Sequence, residues 1–253
     1  MKKLQLENKV YENMYENEHS HWWYLGLRNL LISYIKSTNV KVILDAGCGT
    51  GENLQFLRSE NYNVCGFDAS DVAIQFCKQR GITDVLKANI SKLPYKNSSF
   101  DCICCMDVLA CLSPKEYILA LNEFTRCTRL NGYLIINTAA LPFLFSNHDV
   151  SWHVKKRFML NELIEDLESH NYKIIKGSYR VFLLFPLLVI YKIVNKMYYL
   201  LSSKKAEDDV SKANPIINKI LTKVMYFENY LLNFINLPIG TSIFIVAQKI
   251  KNK

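Results

Sequence analysis

The sequence predicts an α/β fold, a parallel sheet covered by helices on both faces. Two observations carry this. From Val40 to Thr138, short apolar runs alternate with amphipathic segments, the rhythm of strands joined by crossover helices. Those runs are apolar throughout instead of alternating, as strands buried on both sides require. With 253 residues, half of them hydrophobic, the chain can bury a full-sized core.

The elements follow in order. HSHWWYLGLRNLLISYI reads as an amphipathic helix, so residues 1–39 form an N-terminal helical cap segment in which Trp22 and Trp23 pack. Strands are expected at 40–46, 63–69, 84–88, 101–108 and 133–139, with helices near 52–60, 71–80 and 114–129. The last helix has a strong start: Ser113 caps it, Pro114 fits its first position and Glu116 completes a capping box. Asn131-Gly132 is expected to stop it and turn the chain. Residues 140–158 read as a polar loop, followed by a helix near 160–170 and a strand at 172–180. Helical segments at 182–201 and 216–236 flank the charged linker SSKKAEDDVSKANP, and a strand closes the chain at 242–249.

Charge and cysteine usage narrow the function. The net charge is +8, but the lysines are scattered and no nucleic-acid motif accompanies them, so no nucleic-acid partner is expected. None of the eight cysteines forms a C-x-x-C pair. Adjacent Cys104 and Cys105 point to opposite faces of a strand and cannot jointly grip one metal. They read as reduced core thiols, with no metal site and a cytoplasmic location. The N-terminus shows no apolar signal-peptide region. The longest apolar stretch, Val181 to Tyr191, is short for a membrane span.

The chemistry sits in VILDAGCGTGEN. Asp45 ends a strand, and Gly47, Gly49 and Gly51 let the backbone turn tightly and approach a ligand closely. The next helix offers its N-terminal amides. A dinucleotide G-x-G-x-x-G would need glycine where Glu52 stands. Asp68 ends the following strand, where a carboxylate can accept both hydroxyls of a ribose.

D-A-G-C-G-T-G followed by F-D-A-S resembles the cofactor site of class I S-adenosylmethionine-dependent methyltransferases. The resemblance implies a Rossmann-like, seven-stranded, mostly parallel sheet in the order 3-2-1-4-5-7-6, its last strand antiparallel. It also implies S-adenosylmethionine as cofactor and S-adenosylhomocysteine as product. Asp45 would orient the amino end, while Gly47, Cys48, Gly49 and Gly51 form the loop. Asp68 with Ala69 would take the ribose, and Asn89 and Ile90 the adenine. Asp107 would face the methyl or methionine moiety. Residues 40–180 and 241–253 become the methyltransferase core. Residues 181–240 become a helical insertion serving as lid or acceptor wall. The N-terminal helix could then close over the cofactor, with Arg28 pairing its carboxylate.

The loop LFSNHDVSWHVKKRF resembles that of uncharacterised family members sharing H-D-x-x-x-H and an N-terminal H-W-W-Y, here His21 to Tyr24. His148 is the candidate general base, since imidazole titrates near neutrality. Asp149 or His153 would orient it or bind substrate. The expected acceptor is a small molecule methylated on oxygen, with a hydrophobic, lipid-linked or glycan-linked character. The almost uniformly apolar stretch Val181 to Leu201 suggests that character, and with it peripheral membrane contact. The competing readings are a nicotinamide oxidoreductase, a non-catalytic scaffold, and S-adenosylmethionine chemistry other than methyl transfer.

Overall fold

The computed structural model describes residues 2–202 and 214–251. Its centre is one seven-stranded sheet in the order β3-β2-β1-β4-β5-β7-β6. The strands are β1 (Val42–Ala46), β2 (Asn63–Asp68), β3 (Leu86–Lys87), β4 (Phe100–Met106), β5 (Thr128–Ala139), β6 (Tyr172–Arg180) and β7 (Ser242–Lys249). β1 to β5 pair in parallel, and β7 runs antiparallel to both β5 and β6. The expected sheet is therefore the one observed.

Continuous apolar strands place side chains in two cores, one on each face. Ile103 and Cys105 of β4 join Leu121 and Phe124 of α5 (Pro114–Cys127). Cys102 and Cys104 join Leu27, Leu30 and Leu31 of α2 (Trp22–Lys36) and Leu54 of α3 (Glu52–Ser59) on the opposite face. Each fully buried leucine or phenylalanine stabilises the fold by roughly 1.5–3 kcal/mol. All eight cysteines are free thiols, and no metal-ligating cluster occurs among the described residues.

The capping box at α5 forms: the Glu116 backbone N–H donates to Ser113 Oγ, and Glu116 Oε2 accepts from the Ser113 amide at 2.8 Å. The helix ends earlier than expected, at Cys127, because Thr128 turns extended and already pairs with Phe100. Asn131-Gly132 is thus not the helix stop. Asn131 takes φ 64°, and a Cβ on Gly132 would sit 2.9 Å from the carbonyls of Arg129 and Asp101. The pair lies inside β5, past the register shift between Phe100 and Cys102.

The polar loop also carries more structure than its composition suggests. It holds a 3-10 turn at Pro142–Leu144 and the short α6 (Asn147–Ser151). α4 (Asp71–Gln79) and α7 (Leu160–Ser169) complete the crossovers. α8 (Phe185–Ser202) and α9 (Pro215–Leu232) lie between β6 and β7 in the chain. Residues 203–213 of the expected linker fall outside the described residues. α1 (Lys2–Asn17) precedes the expected N-terminal helix. Among the described residues, no helix is long and apolar enough to cross a membrane.

Candidate active site

The loop leaving β1 is shaped by its glycines. Gly47, Gly49 and Gly51 have φ of 78°, 54° and 90°, a region where only glycine rests without strain. A Cβ on Gly47 would lie 2.5 Å from Val108 Cγ2, so space as well as torsion demands glycine there. The amides of Gly47 and Cys48 donate to the Phe67 carbonyl at 3.0 and 2.9 Å, tying the loop to β2.

Asp68 completes the tie. Its Oδ2 accepts from the Gly49 amide and its Oδ1 from the Ser70 amide, both at 2.9 Å. Asp45 is buried at the end of β1, and its Oδ2 has no hydrogen-bond partner among the described residues. Burial, and then the charge of Asp68, push the Asp45 carboxyl up to about 7. A buried, unpartnered carboxylate oxygen beside a glycine loop suits a ligand that brings its own donor. Beyond β3, Asn89 is exposed, with its Oδ1 accepting from the Ser91 amide, while Ile90 packs into the core. Ala69 is exposed next to Asp68.

α1 lies over this loop, whereas the helix expected to close over the cofactor is HSHWWYLGLRNLLISYI, the present α2. Met14 Sδ lies 3.0 Å from where a Gly49 Cβ would stand. Tyr15 packs on Phe76 and carries the Arg80 guanidinium 4.3 Å over its ring. Arg80 also donates to Glu52 at 2.6 Å, Glu18 at 2.7 Å and the Thr50 carbonyl at 2.9 Å. Burial raises the Glu18 carboxyl to about 8 against the opposing pull of Arg80. Arg28 donates to the Glu18 carbonyl at 2.7 Å and faces Glu52 at 3.9 Å, so its guanidinium fastens the α1–α2 junction.

A second polar group spans the ends of β4, β5 and β6. Asp107 takes φ 61° and its amide donates to the Asn137 carbonyl at 2.7 Å. Its Oδ1 accepts from Asn137 Nδ2 at 2.6 Å, and Trp23 is hydrogen-bonded to the same carboxylate. Burial raises the Asp107 carboxyl to about 6, tempered by Arg180.

Arg180 is fully buried, donates through Nη1 to Asn137 Oδ1 at 3.2 Å, and lies 5.1 Å from the centre of the Trp23 ring. Its Nε and Nη2, which share one edge of the guanidinium, have no hydrogen-bond partner among the described residues. The chain then turns through Val181 at φ 62°, an unusual conformation for a β-branched residue. Glu228 of α9 holds that turn by accepting from the amides of Val181 and Leu183.

The three residues of the H-D-x-x-x-H motif separate. Asp149 is buried: its Oδ1 accepts from Arg157 Nε at 2.9 Å and its Oδ2 from the Ser146 amide at 2.7 Å, with Lys192 at 3.6 Å. Burial alone would raise its carboxyl, but Arg157, Lys192 and the Ser146 amide hold it below the usual range. Asp149 therefore organises the loop. His148 is half-buried beside Trp152, at 5.9 Å between ring centres, and His153 is exposed at φ 56°. Cys111 Sγ sits 3.8 Å from the Asp107 carbonyl and 3.5 Å from that of Trp152, joining this loop to the Asp107 turn.

The sheet order and the glycine loop after its first strand define a class I, Rossmann-like methyltransferase fold. Residues 44–136 match the methyltransferase domain family. Over 97% of its length the chain is 26% identical to an uncharacterised protein of Methanocaldococcus jannaschii, covering 88% of that relative. It is 32% identical to the malonyl-[acyl-carrier protein] O-methyltransferase of Erwinia pyrifoliae over 109 residues, which are 43% of this chain and only 41% of the relative. A solved S-adenosylmethionine-dependent methyltransferase from Archaeoglobus fulgidus superposes with a TM-score of 0.57 at 19% identity, over 88% of this chain and 93% of that one. The chain thus carries a methyltransferase domain within the fold of solved S-adenosylmethionine-dependent methyltransferases.

Proposed function

We propose that the enzyme methylates an oxygen of a small, hydrophobic or lipid- or glycan-linked acceptor in the cytoplasm. The observation that carries the cofactor half is the unpartnered Asp45 Oδ2 beside the positive-φ glycine loop. That oxygen accepts from the cofactor's ammonium group. The backbone of Gly47, Cys48, Gly49 and Gly51 passes under the amino-acid moiety, and Asp68 exchanges part of its loop bonding for the ribose hydroxyls. Ala69, Asn89 and Ile90 border the adenine. S-adenosylmethionine, when bound, supplies a methyl group on a sulfonium, which an oriented nucleophile attacks in line.

The row Asp107, Asn137 and Arg180 meets the acceptor. Asp107 and Glu228 both lie in the electrostatic reach of Arg180. With its charge already balanced, the buried, unpartnered Nε/Nη2 edge takes a neutral oxygen of the acceptor in preference to another anion. His148 accepts the proton leaving the acceptor hydroxyl, with His153 at the loop surface and Asp149 fixing the loop that carries it. The O-methyltransferases among the partial relatives support oxygen as the methylated atom. The two motifs around His21 and His148 support assigning the chain to the H-W-W-Y/H-D-x-x-x-H subset. α8 and α9 serve as acceptor wall and point of peripheral membrane contact.

Calorimetric titration with S-adenosylmethionine and S-adenosylhomocysteine, beside Asp68→Ala, tests the cofactor half. Binding that the variant loses at least tenfold is the expected result. A well-folded wild type that binds neither compound overturns it. Turnover undiminished in His148→Ala removes the general base.

A further inference from the structure

α9 has two unlike faces. Its inner face is fastened to the roof of the site: Asn218 Oδ1 accepts from the Trp22 amide at 2.8 Å, and Asn229 Nδ2 donates to the Gly26 carbonyl at 2.8 Å. Met225, Glu228, Asn229 and Leu232 are buried there. The outer face carries Ile216, Ile220, Phe227 and Tyr230, each more than half exposed, and continues into Phe234 at 71%. At 100° per residue these four helical positions fall within one stripe about 80° wide. Nothing among the described residues covers them.

α8 repeats the arrangement. Leu184, just before it, and Leu188 pack with Leu221, Val224 and Met225 of α9. Leu187, Ile190 and Val194 form its own exposed stripe, each more than half open to solvent. Isolated exposed apolar residues are ordinary, but two continuous stripes on adjoining helices are an interaction surface.

Charge selects what covers it. α8 contains no acidic residue, and the only one in α9 is Glu228, which is buried and bound to backbone amides. Lys219 and Lys223 stand exposed on α9. Between the helices, the sequence from 203 to 213 balances Lys204, Lys205 and Lys212 against Glu207, Asp208 and Asp209. An apolar stripe with Lys219 at its edge, Lys223 within it and no exposed acid matches the boundary of an anionic lipid bilayer, where acyl chains meet phosphate.

We propose that the outer faces of α8 and α9 dock the enzyme on an anionic membrane, holding α2 and its Trp23 one helix diameter, about 10 Å, from the lipid surface. This deepens the proposed hydrophobic acceptor and rests on it only for where the acceptor comes from. Docking itself needs neither cofactor nor turnover.

Flotation of the full chain with vesicles tests it, using phosphatidylcholine alone and phosphatidylcholine mixed with anionic phosphatidylglycerol. The wild type is expected to float with the anionic vesicles and far less with the neutral ones. Phe227→Ser/Phe234→Ser should lose at least tenfold in partitioning. Lys219→Glu/Lys223→Glu should keep the weak neutral binding and lose the anionic preference, each lysine near such a surface being worth about fivefold.

Wild-type protein that stays unbound with both vesicles overturns the proposal, as does an apolar variant that floats like the wild type. So does a two-chain mass by light scattering that falls to one chain in Phe227→Ser/Phe234→Ser without flotation, which would assign the stripe to a second copy. All variants should keep wild-type affinity for S-adenosylhomocysteine. Failure of the wild type to bind that compound overturns the cofactor reading and leaves the flotation result standing.

Discussion

At the scale of single residues, the site contrasts groups with filled valences and groups left open. Asp68 has one oxygen occupied by the Gly49 amide of the glycine loop and the other by the Ser70 amide of its own turn, whereas Asp45 Oδ2 has no donor among the described residues. A cofactor ammonium would stabilise the Asp45 carboxylate and lower its pKa from about 7. Binding must then release a proton, and affinity should rise with pH until it levels off above 7. Titration calorimetry in buffers of different ionisation enthalpy reads that proton, and Asp45→Asn should abolish both the release and the pH dependence. Arg180→Lys keeps the charge but loses the two-donor edge. It should raise the acceptor KM at least tenfold while the affinity for S-adenosylhomocysteine stays put. Among the glycines, Gly240 leaves the least room, since a Cβ there would overlap the Arg180 carbonyl oxygen. Neither atom can swing away, so Gly240→Ala should cost about 3 kcal/mol or more in urea unfolding.

At the scale of elements, the pattern of the chain revealed what repeats and hid what is particular. Continuous apolar runs announced β1, β2, β4 and β7, and the Ser113-Pro114-Glu116 signal announced α5, because these obey local rules of burial and capping. β5 gained residues at its start because pairing with Phe100 outweighs a local Asn-Gly turn signal. The glycine loop and Asp68 were legible, being forced by backbone torsion and strand ends. Arg180, Asn137 and Glu228 were not. They lie up to 91 residues apart in sequence (137 to 228) and are joined only by the sheet order and the return of α9. Nor was the way α1 docks, since it is mostly polar and packs through Met14 and Tyr15 beneath the Arg80 guanidinium instead of through an apolar stripe. Arg80→Ala should loosen it: amide exchange across residues 10–18 should quicken at least tenfold, and cofactor affinity should fall with it.

At the scale of the whole molecule, burial has shifted several carboxyls the same way. Glu18, Asp45 and Asp107 are raised to about 8, 7 and 6. Above its unfolded pKa near 4, each binds more protons folded than unfolded, so each makes stability fall as pH rises toward its folded value. His21, lowered by burial, works in the opposite direction. The melting temperature of the ligand-free protein should therefore decline between pH 5 and 8 by several degrees, and Glu18→Gln should flatten the upper part of that decline. A different consequence follows from β7, which enters last yet lies between β5 and β6. While a ribosome works from residue 139 to 249, the nascent β5 has no neighbour on that side. At about 5–20 residues per second this lasts on the order of ten seconds. During that interval a bare apolar strand edge is open to any other strand it meets, so the yield of this protein in a cell should depend on chaperones that shield newborn chains.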